Sequence, residues 1–404
     1  MVEFNPILRK AYWLLAASGL IYVSIVCSLT FPEVQRFAVY LNKLNPTIWE
    51  DVNLVESFGF LKTQVQPFNL VTPDNETIYG WHLLPLHMCN EHAAELDMNK
   101  PAGPANDYTS TPAFKLLAND PNARVVVSFH GNAGHLGSAQ RPETYRMLLG
   151  LSSSTNPIHV FSIDYRGFGL STGTPTEEGL ITDGVALLNF LTSSSLNISS
   201  SRITIVGQSL GTAVSAAVAE RFLFGSSNPN AVQSAIKDPE PFAGVILMAS
   251  FSNIPNLIES YSVKGITPPI LSPLRGYPRI QDWARSHIVD RWDTAARVAR
   301  LTGADGNMAR SNSTYANKGL KLVILHAEND VEIPWYEGVR VFEAATNLSH
   351  PRKVPSIRSS IWEANPDKSA LVKEVLWKKV YYGGHNRIAT FSEAAFEVLR
   401  TFHR

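Results

Sequence analysis

The hydrophobic positions of this chain fall into short apolar runs separated by polar segments and helical patterns. The runs are rich in β-branched residues and bounded by turn residues, which predicts buried strands at residues 64–71, 77–84, 123–129, 157–164, 202–206, 242–249, 320–326 and 375–382. Helical patterns follow several of them, among them residues 210–224. This alternation predicts an α/β fold, with a mostly parallel sheet covered by helices on both faces.

Two long stretches interrupt the alternation. Residues 85–122 are polar, dotted with proline and without periodicity, which favours a surface insertion. Residues 251–319 lack a strand pattern but contain a proline-rich segment and an amphipathic stretch with tryptophans near helical spacing. We interpret the second stretch as a cap over the carboxyl edge of the sheet, or else as a helix that simply packs on the body. In the cap interpretation its apolar side chains bind substrate, and the candidates are Ile270, Leu271, Trp283 and Trp292.

The N-terminal part of the chain contains an uncharged apolar run at residues 11–31. As a helix this run spans about 31 Å, the thickness of the hydrocarbon core of a bilayer. It is longer than the apolar region of a signal peptide and has no clear small-residue cleavage site, so it predicts a transmembrane signal anchor after a tail of residues 1–10. A cleaved signal peptide and a buried helix are the alternatives. A linker of residues 32–62 and a globular domain of residues 63–404 complete the predicted organisation.

The composition excludes several classes of function. The chain has no net charge, 17% charged residues and no basic run interleaved with aromatic residues, so no nucleic-acid partner is expected. Cys27 lies in the apolar run and Cys89 in a polar loop, which indicates neither a disulfide framework nor a zinc site, and no metal or other cofactor is predicted. Four glycosylation sequons favour a body on the lumenal side of a membrane, and they begin at Asn75, Asn197, Asn312 and Asn347.

One five-residue segment, GQSLG at residues 207–211, stands between a predicted buried strand and a predicted buried helix. A G-x-S-x-G sequence in this position is typical of a nucleophile elbow. The chain must turn sharply for the Ser209 hydroxyl to stand above the edge of the sheet, and this turn requires small residues two positions before and after the serine. Ser209 is therefore the predicted nucleophile, with a plain glycine-flanked turn as the alternative.

A serine nucleophile needs a general base and an acid that orients the base. In a sheet of this kind the acid and the histidine follow the serine in the chain, each on a loop after a strand. Asp330 follows the strand that ends near residue 326, and His385 follows the last predicted strand after two glycines. We predict Asp330 as the orienting acid and His385 as the base, with Glu328 and Glu332 as the competing acids.

The oxyanion of an acyl-transfer reaction needs two N–H donors aimed at one point. The backbone N–H of Leu210, at the start of the helix after Ser209, is one predicted donor. The backbone N–H of Asn132, in the loop of residues 130–134, is the other, and an ordinary glycine-rich turn is the alternative for this loop. Because no candidate catalytic residue precedes His130, the sequence also predicts that the N-terminal anchor is separable from the chemistry.

Five motifs together resemble the abhydrolase-domain serine lipases, and they are HGNAGH at residues 130–135, DYRGFG at 164–169, GQSLG at 207–211, LHAEND at 325–330 and GGH at 383–385. With its single N-terminal anchor, the chain is most similar to the membrane-anchored monoacylglycerol and lysophosphatidylserine lipase type. The resemblance covers residues 77–404 and implies an α/β-hydrolase fold with a Ser-His-Asp triad. It also implies a single-pass protein of the endoplasmic reticulum membrane with a lumenal catalytic domain.

These expectations together predict a membrane-anchored serine hydrolase that cleaves the ester bond of a lipid with one acyl chain, a monoacylglycerol or a lysophospholipid. The expected partners are that lipid and the membrane. A thioesterase that removes palmitate from proteins would use the same triad. An inactive hydrolase fold that serves as a scaffold is the alternative from another class, and a complete triad argues against it.

Overall fold

The computed structural model describes residues 6–44, 49–226, 228–305, 319–347, 359–363 and 372–402. Within these residues nine strands form one sheet, and they are β1 (Val65–Val71), β2 (Thr77–Leu83), β3 (Arg124–Phe129), β4 (Ile158–Ile163), β5 (Ile203–Gln208), β6 (Gly244–Met248), β7 (Leu320–Ala327), β8 (Ser359–Glu363) and β9 (Val372–Val380). Their order in the sheet is β1-β2-β4-β3-β5-β6-β7-β9-β8. The six strands from β4 to β9 in this order are parallel, whereas β1, β2 and β8 pair antiparallel with their neighbours.

The α-helices of the described residues precede, connect and follow these strands. They are α1 (Pro6–Ser28), α2 (Pro32–Tyr40), α3 (Leu86–Glu91), α4 (Ala93–Met98), α5 (Pro112–Ala118), α6 (Arg141–Leu149), α7 (Glu177–Thr192), α8 (Leu210–Phe224), α9 (Ile254–Leu257), α10 (Pro278–Ser286), α11 (Thr294–Thr302), α12 (Tyr336–Thr346), α13 (Gly384–Arg387) and α14 (Ser392–Phe402). Helices α7, α8, α11 and α12 contribute to the core on one face of the sheet, and α6 and α14 to the core on the other face.

The central strands are apolar because both of their faces are buried. In β3, Val125 and Val127 join one core while Val126 joins the other, as the two-residue period of a strand requires. The parallel strands β5, β7 and β9 all end at the same edge of the sheet. The loops after these three strands therefore meet at one place, which is where ligands bind in open α/β sheets.

The prediction of a mostly parallel sheet with helices on both faces is confirmed. All eight predicted strands are present, and their bounds differ from the predicted ones by three residues or fewer. The sequence did not predict β8, a five-residue strand at the edge of the sheet that pairs antiparallel with β9. Its sequence, SSIWE, is too short and too polar to stand out by periodicity.

The N-terminal apolar run is a helix that starts and ends earlier than predicted. Helix α1 covers Pro6–Ser28 instead of residues 11–31, and its 23 residues span about 34 Å. It is long and apolar enough to cross a membrane. Val26 is the buried residue of this helix, so the alternative of a helix buried in the domain is wrong. The choice between an anchor and a signal peptide stays a prediction.

The two stretches that interrupt the alternation of strands and helices differ from their predicted forms. The insertion of residues 85–122 contains three short helices, and it buries Met88 and Phe114. The predicted cap of residues 251–319 extends too far, because α11 belongs to the body. Arg297 on α11 donates to Glu177 of α7 and to Glu220 of α8, both at 2.8 Å. Residues 306–318 lie outside the described residues.

Three of the four sequon asparagines are exposed, and they are Asn75, Asn197 and Asn347. Asn312 lies outside the described residues. Exposure is a requirement for glycosylation but not evidence of it, so glycosylation stays a prediction.

Candidate active site

The backbone at Ser209 has the sharp turn of a nucleophile elbow between β5 and α8. Its φ of 55° and ψ of −122° lie outside the regions that residues with a side chain ordinarily adopt. Two glycines allow this turn. A Cβ on Gly207 would lie 2.2 Å from the carbonyl oxygen of Gly211, and a Cβ on Gly211 would lie 2.0 Å from that of Phe129. The strand and the helix therefore approach too closely for any side chain at these two positions.

We expect Gly211→Ala to lower the free energy of unfolding by about 1–3 kcal/mol, because the added methyl group forces β3 and α8 apart. Gly276→Ala is the matched control, since a Cβ at Gly276 meets no atom within 4 Å. Chemical unfolding of the two variants followed by circular dichroism measures the difference. Equal stability of the two variants would contradict the close approach.

Three polar side chains from distant parts of the sequence form one series of hydrogen bonds. Ser209 Oγ lies 2.9 Å from His385 Nε2, and Asp330 Oδ2 lies 2.9 Å from His385 Nδ1. All three residues are buried, with exposed fractions of 7–8%. Ser209 follows β5, Asp330 follows β7 and His385 follows β9, so the parallel arrangement of these strands brings the three side chains together.

The carboxylate of Asp330 is held on both oxygens. Its Oδ1 accepts hydrogen bonds of 2.9 Å from the backbone N–H groups of Glu332 and Ile333, and its Oδ2 lies 3.3 Å from His326 Nε2. Burial alone would raise the pKa of Asp330, but the bonds from His326 and His385 outweigh burial and hold this pKa well below its usual range. Asp330 is therefore a fixed negative charge beside His385.

The charge of Asp330 affects the pKa of His385. Burial alone would lower the pKa of His385, but the hydrogen bond and charge of Asp330, with the charge of Glu332, outweigh burial and raise this pKa above its ordinary value. In neutral His385 the proton on Nδ1 is donated to Asp330, so Nε2 is free to accept a proton from Ser209. The arrangement can thus activate the serine hydroxyl as a nucleophile.

Among the described residues, neither of the two competing acids is hydrogen-bonded to His385. Glu328 pairs with Lys379 at 3.0 Å and is 41% exposed at its side chain. Glu332 contributes its backbone N–H to Asp330. Asp330 is therefore the acid that the structure brings to His385.

The loop of residues 130–135, here called the oxyanion loop, adjoins the serine. A Cβ on Gly131 would lie 3.3 Å from the Cβ of Ser209. Among the described residues, no acceptor is found for the backbone N–H of Asn132 or for that of Leu210. Two N–H groups without an internal acceptor, next to a nucleophile, fit the requirement for oxyanion donors.

His130 lies in this loop but faces away from the reaction. Its Nδ1 lies 2.7 Å from the carbonyl oxygen of Gly131, and its Nε2 lies 3.5 Å from Asp164 Oδ1. The imidazole is buried and contacts the ring of Tyr165, with the ring centroids 4.3 Å apart. His130 is therefore in a structural setting.

Sequence reasoning missed three residues that support the site. His326 contacts the carboxylate of Asp330, and Gln208 Nε2 donates to the carbonyl oxygen of His385 at 2.9 Å. Arg141 donates to carbonyl groups of the oxyanion loop. His326 and Gln208 lie inside motifs that the sequence analysis identified, so their positions were a usable signal. Arg141 lies outside all five motifs, and the sequence offers no signal for it.

The four predicted substrate-binding residues occupy different environments. Trp283 is 45% exposed on α10, and Ile270 is partly buried beside α1, where its carbonyl oxygen accepts a hydrogen bond from Tyr22 at 3.0 Å. Leu271 is buried and lines a cavity of about 270 Å³ together with residues of α10 and α12. The prediction for Trp292 is wrong, because its side chain is completely buried in the core and donates to Tyr40 Oη.

Comparisons with known proteins agree with this geometry. The sequence profile of the Alpha/beta hydrolase family matches residues 125–362. The chain is 26% identical over 338 residues to a protein named lysophosphatidylserine lipase ABHD12 from Danio rerio, covering 83% of this chain and 72% of that protein. It is 28% identical over 234 residues to protein ABHD12B from Homo sapiens, covering 58% of this chain and 53% of that protein.

The fold also matches solved structures. A crystal structure of an alpha-beta hydrolase from Vibrio vulnificus superposes with a TM-score of 0.54 at 14% identity, covering 91% of this chain and 92% of that one. A match at this identity supports the fold alone. The family profile covers more than half of the sequence and includes Ser209 and Asp330. The chain belongs to the alpha/beta hydrolase family and is an ester hydrolase.

Proposed function

We propose that this protein is a serine hydrolase that cleaves the ester bond of lipids with one acyl chain. The observation that carries the proposal is the series of two 2.9 Å hydrogen bonds from Ser209 through His385 to Asp330. A buried serine in a strained turn, bonded to a histidine that a carboxylate orients, is the arrangement that acyl transfer requires. Each of the three residues has one role in the proposed reaction.

In the first half of the reaction, Ser209 Oγ attacks the carbonyl carbon of the ester while His385 Nε2 takes the hydroxyl proton. The carbonyl oxygen becomes an oxyanion, and the N–H groups of Asn132 and Leu210 stabilise it. The intermediate collapses, the bond to the alcohol breaks, and His385 returns its proton to the leaving oxygen. In the second half, water attacks the acyl-enzyme by the same route and releases the fatty acid and the free serine.

The lipid part of the proposal rests on the relatives and on the surface. Several relatives of 23–26% identity are named lysophosphatidylserine lipase. Helix α1 exposes apolar residues over the length of a bilayer core, and it contacts the cap through the bond from Tyr22 to Ile270. A cap that touches a membrane anchor is suited to receive an acyl chain directly from a bilayer. We therefore propose that α1 is a single-pass anchor and that the catalytic domain faces the lumen of the endoplasmic reticulum.

A substrate panel tests the function. We would measure kcat/KM of the full-length protein in detergent for monoacylglycerols, lysophospholipids, diacyl lipids and acyl thioesters. The proposal expects monoacyl esters to be preferred. Better turnover of acyl thioesters would favour the depalmitoylating alternative, and no turnover together with no fluorophosphonate labelling would favour the scaffold. Glycosidase treatment tests orientation, since sugars on Asn75 or Asn197 require a lumenal body.

We expect kcat/KM to rise with acyl length, because each buried methylene adds about 0.8 kcal/mol. Trp283→Ala should weaken this dependence and leave the cleavage of acetate esters unchanged, since a two-carbon acyl group does not reach the cap. Phe396→Ala is the matched control, because Phe396 is an aromatic side chain on α14 that is 57% exposed. A flat dependence on chain length in the unmodified protein would count against the lipid substrate.

A further inference from the structure

The oxyanion loop is fixed by hydrogen bonds from two sides, and neither side belongs to the triad. On one side the guanidinium of Arg141 donates to the carbonyl groups of the loop. On the other side the carbonyl groups of residues 39–44, here called the collar, accept from the amides of the loop. The loop itself provides Asn132, one of the two proposed oxyanion donors. Its position relative to Ser209 therefore depends on both supports.

Arg141 lies at the start of α6 and reaches almost every residue of the loop. Its Nη2 lies 3.1 Å from the carbonyl oxygen of Gly131 and 2.9 Å from those of Asn132 and Ala133, while its Nη1 lies 2.5 Å from that of His135. Within the described residues, no carboxylate lies within salt-bridge distance of its guanidinium. The donors of Arg141 are therefore directed at peptide carbonyls. These bonds hold the carbonyl groups on one side of the loop, so the loop amides face the other side.

The collar accepts hydrogen bonds on that other side. The N–H of Ala133 donates to the carbonyl oxygen of Tyr40 at 2.9 Å, and the N–H of Gly134 donates to that of Leu44 at 3.2 Å. The side chain of Asn132 donates to the carbonyl oxygen of Val39 at 3.3 Å. The backbone N–H of Asn132, in the loop beside Ser209, has no acceptor among the described residues. The collar thus binds the amides on the far side of the loop and leaves that of Asn132 available for the oxyanion.

The collar is in turn anchored in the body. Tyr40 is completely buried, its hydroxyl lies 2.8 Å from Asp290 Oδ2, and it accepts from Trp292 Nε1 at 3.2 Å. Gln35 on α2 donates to the carbonyl oxygen of His287 at 2.7 Å and accepts a hydrogen bond from the backbone N–H of Val289. Helix α2 and the collar are therefore packed against the body and are not parts of a free linker. The predicted separability of the N-terminal anchor concerns residues 11–31, which precede the collar, and it stays a prediction.

We propose that Arg141 and the collar position the oxyanion hole, so that the catalytic centre is complete only when residues 39–44 are docked. The inference rests on the serine mechanism proposed above but not on the lipid substrate. Neither Arg141 nor the collar contacts the reacting atoms, so both act through the oxyanion loop. Their removal should weaken the binding of the transition state and leave the binding of the ground state unchanged.

The test compares a soluble substrate with a transition-state analogue in the full-length protein. The substrate is p-nitrophenyl butyrate, and the analogue is an alkyl trifluoromethyl ketone, whose carbonyl carbon bonds to Ser209 Oγ and whose oxygen becomes an oxyanion. We expect Arg141→Met to lower kcat about 100-fold with little change in KM, as a misplacement of about 1 Å does. The Ki of the ketone should rise by the same factor as kcat/KM falls. Tyr40→Ala should likewise lower kcat and raise the Ki of the ketone.

Arg146→Met is the matched control, because Arg146 lies on the same helix but donates to the carbonyl oxygen of Phe58 and to none of the loop carbonyls. It should keep the kcat and the Ki of the unmodified protein. Arg141→Lys retains the charge but has fewer donors, so it should give an intermediate loss of kcat. It replaces Arg141→Met in the test if that variant does not fold. A lower kcat/KM with an unchanged Ki, or an unchanged kcat in the Arg141 variants, would overturn the inference. Failure of the unmodified protein to react with fluorophosphonate would instead overturn the proposed function.

Discussion

Replacing Ser209 with alanine should lower kcat by a factor on the order of 10⁶, because no other group at the site can form the acyl-enzyme. The hydroxyl has one partner within the site, His385, so its loss leaves the surrounding backbone unchanged. The expected readouts are the loss of p-nitrophenyl butyrate hydrolysis and of fluorophosphonate labelling. The thermal unfolding midpoint should remain that of the unmodified protein.

The same experiment tests whether the serine and the histidine act together. His385→Ala should cost about as much as Ser209→Ala, and the double variant should lose little more, because the members of a triad act as a unit. Losses that add in the double variant would mean that the two residues contribute separately. Retained labelling in folded Ser209→Ala would show that another residue is the nucleophile.

Asp330→Asn should lower kcat by about 10⁴-fold, because an amide at this position lets the imidazole adopt the wrong tautomer. The substitution keeps the shape of the side chain, and the backbone amides of Glu332 and Ile333 can still donate to its carbonyl oxygen. Glu328→Gln is the matched control, since its carboxylate pairs with Lys379 instead of His385. A larger loss for Glu328→Gln than for Asp330→Asn would show that the acid is misassigned.

The pH profile gives a second measure of the same substitution. The base must be neutral in the free enzyme, so kcat/KM falls as the pH drops through the pKa of His385. The charge of Asp330 helps to raise that pKa. Removing this charge should lower the pKa, and the acid limb of the residual activity should move to lower pH. Glu332→Gln should move the limb in the same direction by a smaller amount, and a move to higher pH would contradict the electrostatic account.

The triad was predictable because it follows from chain topology. Ser209, Asp330 and His385 each lie within five residues of the end of a strand, and these parallel strands end at one edge of the sheet. Short apolar runs identify such strands well, since a strand buried on both faces has little freedom in its sequence. The position of each residue was therefore fixed by elements that the hydrophobic pattern already revealed.

The supports of the oxyanion loop were not predictable in this way. Arg141 and the collar act on the loop through backbone carbonyl groups, which every residue possesses and which leave no signal in the sequence. The error at Trp292 has a related cause. An amphipathic pattern shows that one side of a segment is buried, but not against which partner, and the partner here is Tyr40. The supports of the oxyanion loop and the burial of Trp292 both depend on contacts between residues far apart in the sequence.

The position of β9 between β7 and β8 has a consequence for the synthesis of the chain. Strand β8 is made before β9 but pairs with β9, so the edge of β7 remains open until the last strand of the sheet inserts. An open edge of an apolar strand is a site for aggregation while the chain is still growing on the ribosome. His385 follows β9 by five residues, so a nascent chain with this open edge also lacks the proposed general base. Protection from aggregation and the onset of catalysis are thus reached in the same late step of folding.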